Sequence, residues 1–370
     1  MWLTVLRVLA LLLLFLTGIN GLGKGFNGLG GDLLDHFFEA TSNPFVGLVI
    51  GILGTTLAQS SSVTTSMVVA MVAAPEHPLP IQSAVPIIMG ANIGTTVTNT
   101  IVALGHVSRP DEFRRAFATA TCHDFFNFIA VAILLPVELL TGGLSKAALG
   151  LTEFVGIRGG GGDFPNPVKT ITSAALRPVT ELISWVIPTP RLAAVGLIVV
   201  SGVVILASLS LLVRALRSLA SGKLQIYVAR SLDASPWVGF LTGIAVTFMV
   251  QSSSITTSVL VPLAGAGILT LRQAFPITLG SNIGTTFTAL LASMASEPQT
   301  AHFGVQIALV HLLFNAVGIL LVYPVARVRE VPLRLATWLA AVAVRSRKVA
   351  LGYVLVLFYG LPAALVVISR

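Results

Sequence analysis

Two stretches of the chain carry the same run of hydroxyls behind a carboxamide. Gln59, Ser60, Ser61 and Ser62 lead into Val63-Thr64-Thr65-Ser66, and Gln251, Ser252, Ser253 and Ser254 lead into Ile255-Thr256-Thr257-Ser258. Apolar sequence flanks both, and polar groups in that setting are costly unless they have partners. A half-helix that begins at the serines would present free backbone N–H groups and a positive dipole end, which suits an oxyanion. The hydroxyls and the glutamine add donors without a fixed positive charge. A bound anion can then leave again, whereas a buried arginine clamp would hold phosphate tightly. The competing reading is structural, with the hydroxyls satisfying backbone or neighbouring helices. Duplication of the motif favours the ligand site.

Other polar residues have the types that bind a cation. Gly90-Ala91-Asn92-Ile93-Gly94-Thr95-Thr96 and Gly280-Ser281-Asn282-Ile283-Gly284-Thr285-Thr286 each place two glycines around an asparagine and end in a threonine pair. Such a stretch predicts an unwound point in a helix, where backbone carbonyls join the side-chain oxygens of Asn92, Thr95, Thr96, Asn282, Thr285 and Thr286. Neutral oxygens of that kind suit sodium, and a purely structural kink is the alternative. Asp124 lies nine residues beyond Arg115, or about 14 Å of helix, close to mid-bilayer. A carboxylate there reads as a cation ligand, with a neutral, protonated acid as the alternative. Asn127 and Asn315 add oxygens near it. His123 and His311 lack ligand partners at metal-binding spacing and read as helix-packing hydrogen-bond partners. A serine hydrolase built on Ser60–Ser62 would need one of these histidines as base, but two copies of a nucleophile speak against it. A channel would lack coupling.

The elements that must position these groups are membrane helices. Of 370 residues, 55% are hydrophobic and only 10% charged, with mean hydropathy +0.93. A soluble protein of this length carries far more surface charge. The net charge of +8 comes from Lys and Arg in short links between apolar segments, where they orient a membrane protein rather than bind nucleic acid. Cys122 is the single cysteine, so no internal disulfide forms.

In order, residues 1–42 hold a first span (2–23) and an interfacial link with Asp32, Asp35 and Glu39. A cleaved signal peptide is the alternative for that span. Residues 43–140 form repeat one: a re-entrant hairpin tipped by Gln59–Ser66, a broken helix over 80–107 and an apolar helix to about Leu140. Residues 141–234 contain the least membrane-like stretch, the flexible glycine loop Gly156–Gly162 with Pro165 and Pro167, and a span over 191–213. Residues 235–327 form repeat two, and 328–370 hold the C-terminal helices, the last at 349–368.

The halves align through polar landmarks in constant order. Gln59 and Gln251 are 192 residues apart, Asn92 and Asn282 are 190 apart, and His123 and His311 are 188 apart. Asp124 pairs with Leu312, so the charged site exists in one half only. Loop charges then invert between halves. Arg109, Arg114 and Arg115 follow the broken helix in repeat one, whereas the matching link Ala295-Ser296-Glu297-Pro298-Gln299 has no basic residue. The link Pro75-Glu76-His77 is matched by one that contains Arg272. Glu138 ends repeat one, and Arg327 and Arg329 end repeat two. By the positive-inside rule the repeats lie in opposite orientations, repeat one starting and ending outside. Arg158, Lys169 and Arg177 in the outer loop run against this bias. The expected fold is an all-α polytopic membrane protein with two inverted-topology repeats, each with a re-entrant hairpin and a broken transmembrane helix, as in secondary transporters.

At these residues the chain resembles the type II sodium–phosphate cotransporter family in its bacterial form. The paired Gln-Ser-Ser-Ser, the stretch Pro86 to Thr95, Phe113-Arg114-Arg115-Ala116-Phe117 and His123-Asp124-Phe125-Phe126-Asn127 carry the likeness. The resemblance implies sodium-driven uptake of inorganic phosphate by alternating access, through a pathway lined by Gln59–Ser62 and Gln251–Ser254. It implies that Asp124 serves an additional sodium ion, so that transport is electrogenic. The implied partners are phosphate, sodium and the bilayer of a bacterial inner membrane, with no cofactor beyond the coupling ions and with homo-oligomerisation left open. A sodium-coupled carrier for another oxyanion or a carboxylate is the alternative. The loop between the repeats is short and has no cysteine pair, so regulation and glycosylation known for animal members are not implied.

Overall fold

The computed structural model describes residues 2–29, 38–155, 167–220, 235–297 and 299–368. Asp32, Asp35, the glycine run Gly156–Gly162, Arg158, Pro165, Lys223, Arg230 and Pro298 lie outside the described residues. Among the described residues the regular elements are all helical. Six helical stretches of the described residues are long and apolar enough to cross a membrane: Leu6–Gly28, Ile81–Leu104, Pro110–Thr141, Pro190–Leu212, Ala301–Val322 and Arg347–Leu365. The chain is a multi-pass membrane protein.

The first span is longer than expected: α1 covers Trp2–Gly28. Four of its five glycines face one later helix. A methyl on Gly18, Gly21, Gly25 or Gly28 would run into Ile205, Ser201, Ile198 or Ala194 of a later helix, so the two backbones can approach closely. That later helix, α9 (Pro190–Ala220), is the span expected over 191–213. Between them in sequence, the stretch read as least membrane-like contains a helix, α8 (Pro167–Val186). Its Thr172 and Ser173 hydroxyls accept from the buried Asn20 side chain of α1 at 3.1 and 3.0 Å.

Each hairpin consists of two short helices meeting at a glutamine. In the first, α2 (Pro44–Ala58) starts at Asn43, whose side chain caps Phe45 N–H, and α3 covers Ser61–Val72. In the second, α10 (Pro236–Val250) precedes α11 (Ser253–Gly265). Proline in the first turn starts α2 and α10, where its missing N–H costs nothing.

The glycine–asparagine stretches behave differently from the expectation of unwinding. In repeat one the helix does divide, into α4 (Ile81–Thr95) and α5 (Val97–Leu104), but the break falls at Thr96, beyond both glycines. In repeat two α12 runs unbroken over Leu271–Ser293. The glycines instead clear space for a neighbouring backbone. A Cβ on Gly90 would strike the Leu48 carbonyl of α2, and one on Gly280 would strike the Phe240 carbonyl of α10. Gly51 and Gly243, on the opposite helices, face the Ile87 and Ile277 carbonyls in the same way. At both crossings a glycine of each helix lies under a carbonyl of the other, so the two backbones approach closely.

The repeats then interlock. α6 (Pro110–Thr141) turns at Gly142 (φ 63°) into α7 (Gly143–Phe154), and α13 (Ala301–Val322) is followed by α14 (Ala326–Arg345). α7 packs on α13 and α14 on α6, so the helix that follows each repeat lies against the last helix of the other. Glu138, read as a loop charge, is a buried helix cap: it accepts from the Leu144 N–H at 2.7 Å and from the Ser145 hydroxyl at the α7 N-terminus. The ends of the hairpins are gripped across the repeats as well. Arg115 donates to the Ala264 and Gly265 carbonyls of α11 at 2.6–3.2 Å, and Thr300 donates to the Ala73 carbonyl beyond α3 at 2.7 Å. The last span, expected over 349–368, comprises α15 (Arg347–Leu355), a π-helical segment Val356–Gly360 and α16 (Leu361–Ile368).

Candidate functional site: paired hairpin tips and a buried polar chain

At each tip the glutamine adopts the left-handed conformation that ends one half-helix. Gln59 has φ 52° and Gln251 has φ 55°, and they are the non-glycine residues with positive φ among the described residues. Each side chain folds back on its own helix: Gln59 Nε2 donates to the Thr56 carbonyl at 2.5 Å and Gln251 Nε2 to the Phe248 carbonyl at 2.6 Å. Each Oε1 then accepts from a threonine of a neighbouring helix, Thr98 of α5 at 3.1 Å and Thr288 of α12 at 2.9 Å. The next residues, Ser60 and Ser252, cap the second half-helices, their hydroxyls accepting from the Val63 and Ile255 N–H groups at 3.4 Å. The first-turn N–H groups of α3 and α11 lack intrahelical partners and face the tip.

The tips meet. Ser62 donates to the Gln251 carbonyl at 3.4 Å and lies 3.5 Å from the Thr288 hydroxyl. A cavity of about 500 Å³ opens at this meeting point, lined by Gln59, Ser60, Gln251, Ser252 and Ser254 with Leu209 and Ser210 of α9. Ser61 and Ser253 are buried at the first helical position. Among the described residues no lysine or arginine lines the cavity, so the groups that line it for an anion are N–H dipoles and hydroxyls. The two tips are not equivalent: Gln59 is exposed, whereas Gln251 is 7% exposed.

Behind the second tip runs a continuous chain of buried side chains. Thr257 and Ser258 of α11 donate to Asn99 Oδ1 at 2.9 and 3.2 Å. Asn99 Nδ2 faces His123 Nδ1 at 3.4 Å, and His123 Nε2 faces Asn282 Oδ1 at 2.7 Å. An amide nitrogen can only donate and an amide oxygen only accept, so His123 is the neutral tautomer protonated on Nε2. Asn282 donates onward to Asn127 Oδ1 at 2.9 Å, and Asn127 to the Asn92 carbonyl at 2.7 Å. That carbonyl lies one turn before the break, where the Thr96 N–H turns to Ile93 instead. Asn315 closes the chain on Asn92 Oδ1 at 3.2 Å. His123 is thus a helix-packing bridge, as expected. His311 is not: neither ring nitrogen has a partner.

Asp124 is fully buried on α6. Its Oδ2 accepts from Tyr353 at 2.7 Å and from Thr100 at 3.4 Å, and its Oδ1 has no hydrogen-bond partner. Among the sodium candidates, Asn92, Asn127, Asn282 and Asn315 therefore form one cluster. Thr95, Thr96, Thr285 and Thr286 each donate to a carbonyl of their own helix, at 2.7–3.0 Å, and the Thr96 hydroxyl also faces Asp124. The expected open backbone carbonyls are absent from α12, because that helix is continuous. Among the described residues no three His, Cys, Asp or Glu side chains group to hold a metal. A hydrolase reading fails on geometry, since His123 is engaged by two asparagines and His311 bonds to no serine.

Sequence reasoning passed over Thr98, Thr288, Asn99 and Tyr353. A signal for the threonines was present: they stand 190 residues apart, the spacing of the asparagine pair. Asn99 sits in the polar run Thr95 to Thr100 and was equally visible. Nothing local marks Tyr353, which reaches Asp124 from 229 residues away.

A family model described as "Na+/Pi-cotransporter" matches residues 14–155 and 204–345, so each match takes in α1 or part of α9 ahead of its hairpin. Rat sodium-dependent phosphate transport protein 2A is 37% identical over 98% of this chain and 67% of its own length. The mouse 2A protein is 38% identical over 98% of the chain and 67% of its length. Human sodium-dependent phosphate transport protein 2B is 34% identical over 97% and 64%. No solved structure matches the chain.

Proposed function

The chain belongs to the Na+/Pi-cotransporter family, and from that premise we propose that it is a sodium-coupled symporter importing inorganic phosphate by alternating access. It is a transporter and not an enzyme. The observation that carries the reading is the meeting of two Gln-Ser-Ser-Ser tips around one cavity whose described lining is hydroxyl, carboxamide and apolar. Phosphate occupies that cavity, held by first-turn N–H groups and the hydroxyls of Ser60, Ser252 and Ser254 together with Gln59 and Gln251. Ser61, Ser62 and Ser253 complete the tips, Ser62 by joining them.

Sodium is taken by the neutral oxygens of Asn92, Asn127, Asn282 and Asn315, by the lone pairs of Thr95, Thr96, Thr285 and Thr286, and by the bare Oδ1 of Asp124. The carboxylate in one half only makes transport electrogenic. The repeats lie inverted in the cell membrane, with the Arg109–Arg115 link and the Arg327–Arg329 link inside. Swapped packing of α7 and α14, and hairpin ends gripped by opposite repeats, support that arrangement. Phosphate, sodium and lipid are the required partners, and no cofactor beyond the ions is invoked.

The test is radiolabelled phosphate uptake into proteoliposomes with and without an inward sodium gradient. Uptake should require sodium and should saturate with phosphate. Uptake independent of sodium, or none, would overturn the reading, and competition by another oxyanion or a carboxylate at lower concentration would reassign the substrate.

A further inference from the structure

Tyr353 belongs to α15, beyond both matched repeats, yet its hydroxyl donates to Asp124 Oδ2 at 2.7 Å. The Thr100 hydroxyl reaches the same oxygen at 3.4 Å. Oδ1, equally buried, has no hydrogen-bond partner. The Thr96 hydroxyl also faces the carboxylate, and the two bonds to Oδ2 fix its plane and leave Oδ1 for whatever the site receives. A bare anionic oxygen in a buried site is expensive unless a cation occupies it.

The donor is itself well fixed. The Tyr353 ring packs edge-on against Phe117 and Phe358, with centroids 6.3 and 6.0 Å apart. Directly after α15 the helix widens into the π-helical segment Val356–Gly360, and such segments are frequent at functional sites. The other half needs no such device. Asp124 corresponds to Leu312, and Thr100 corresponds to Leu290 at the 190-residue spacing, so both positions are apolar there.

We propose that Tyr353 is the positioning residue of the coupling-ion site, aiming Asp124 Oδ1 at sodium. The C-terminal helix is then part of the ion site, although it lies outside the repeats that build the transport pathway. The proposal rests on the sodium role assigned to Asp124 above. Tyr353→Phe removes the hydroxyl and keeps the ring, so the packing against Phe117 and Phe358 survives.

The experiment uses the full chain in proteoliposomes, comparing wild type, Tyr353→Phe, Asp124→Gly and the double variant. Phosphate uptake is followed against sodium concentration, and net charge moved is recorded with it. Losing a hydrogen bond to a charged group should raise the sodium concentration for half-maximal uptake by about tenfold. Half-saturation by phosphate at saturating sodium should stay the same. In the Asp124→Gly background the second substitution should add nothing, because the partner is gone. An equal shift in that background would show that Tyr353 acts through packing, and unchanged sodium dependence in Tyr353→Phe would likewise overturn the assignment alone. Absence of sodium-driven uptake in wild type would sink the transport reading and this assignment with it.

Discussion

Gln59 and Gln251 show what single residues contribute at the tips. A non-glycine residue in the left-handed region costs about 1–2 kcal/mol. Each glutamine offsets this by donating to its own helix and accepting from Thr98 or Thr288. Gln251→Gly removes the backbone strain together with the side-chain bonds. The melting temperature should therefore change little while phosphate uptake falls several-fold. A large loss of thermal stability would mean that the glutamine serves the fold. Both Ser253 and Ser254 are buried, but only Ser254 lines the cavity. Ser254→Ala should raise the phosphate concentration for half-maximal uptake by about tenfold, the loss expected for one bond to an anion. Equal phosphate affinity in Ser254→Ala and wild type would remove Ser254 from the site. Asp124→Gly should lower the charge moved per phosphate, and an unchanged ratio of current to flux would exclude it as the electrogenic site.

Helices position these residues through glycine contacts, and in repeat two, where the helix is continuous, unwinding was the wrong expectation, while repeat one divides at Thr96. Gly90 and Gly280 lie under a neighbouring carbonyl, so an added methyl has backbone in its way, with no flexible side chain to move aside. Gly90→Ala or Gly280→Ala should destabilise by about 1–3 kcal/mol or more. Gly150 faces open space in α7, so Gly150→Ala is the matched control and should stabilise by about 1 kcal/mol. Thermal melts of the purified variants decide this, and equal melting for Gly90→Ala and Gly150→Ala would refute the crossing. The same reasoning covers the polar chain. Asparagines at the crossings meet across helices, and His123 links them because its neutral ring can donate on one side and accept on the other.

For the whole molecule, orientation follows from charge and can be read from accessibility. Cys122 is buried, so cysteines placed elsewhere report without background. Glu76→Cys lies in the link assigned outside, and Ile268→Cys, at an exposed position, lies in the matching link assigned inside. A membrane-impermeant maleimide should label the first in intact cells and the second only after permeabilisation. Labelling of both from one side would sink the inversion. The interlocked packing makes a second point at this scale: neither half has a complete core alone. α7 needs α13, α14 needs α6, and the Arg115 and Thr300 caps cross between halves.

Composition, the hydroxyl pairs and the constant landmark spacing determined the membrane class, the repeat and both hairpins, since these depend on local chemistry and on order along the chain. Glycine spacing determined where helices would be special, but it could not say why. A glycine pair serves an unwound turn or a tight crossing equally well, and only the carbonyl of a neighbouring helix distinguishes them. Tertiary structure alone decided the Asn99–His123–Asn282 bridge, the burial of Glu138 as a cap and the pairing of Asp124 with Tyr353. Each joins residues distant along the chain, or depends on burial, and neither is written in local sequence. The Gln-Ser-Ser-Ser runs were legible as candidate sites because their polarity conflicts with their surroundings. Tyr353 was illegible because an aromatic residue in an apolar helix conflicts with nothing until its hydroxyl is seen to meet a carboxylate.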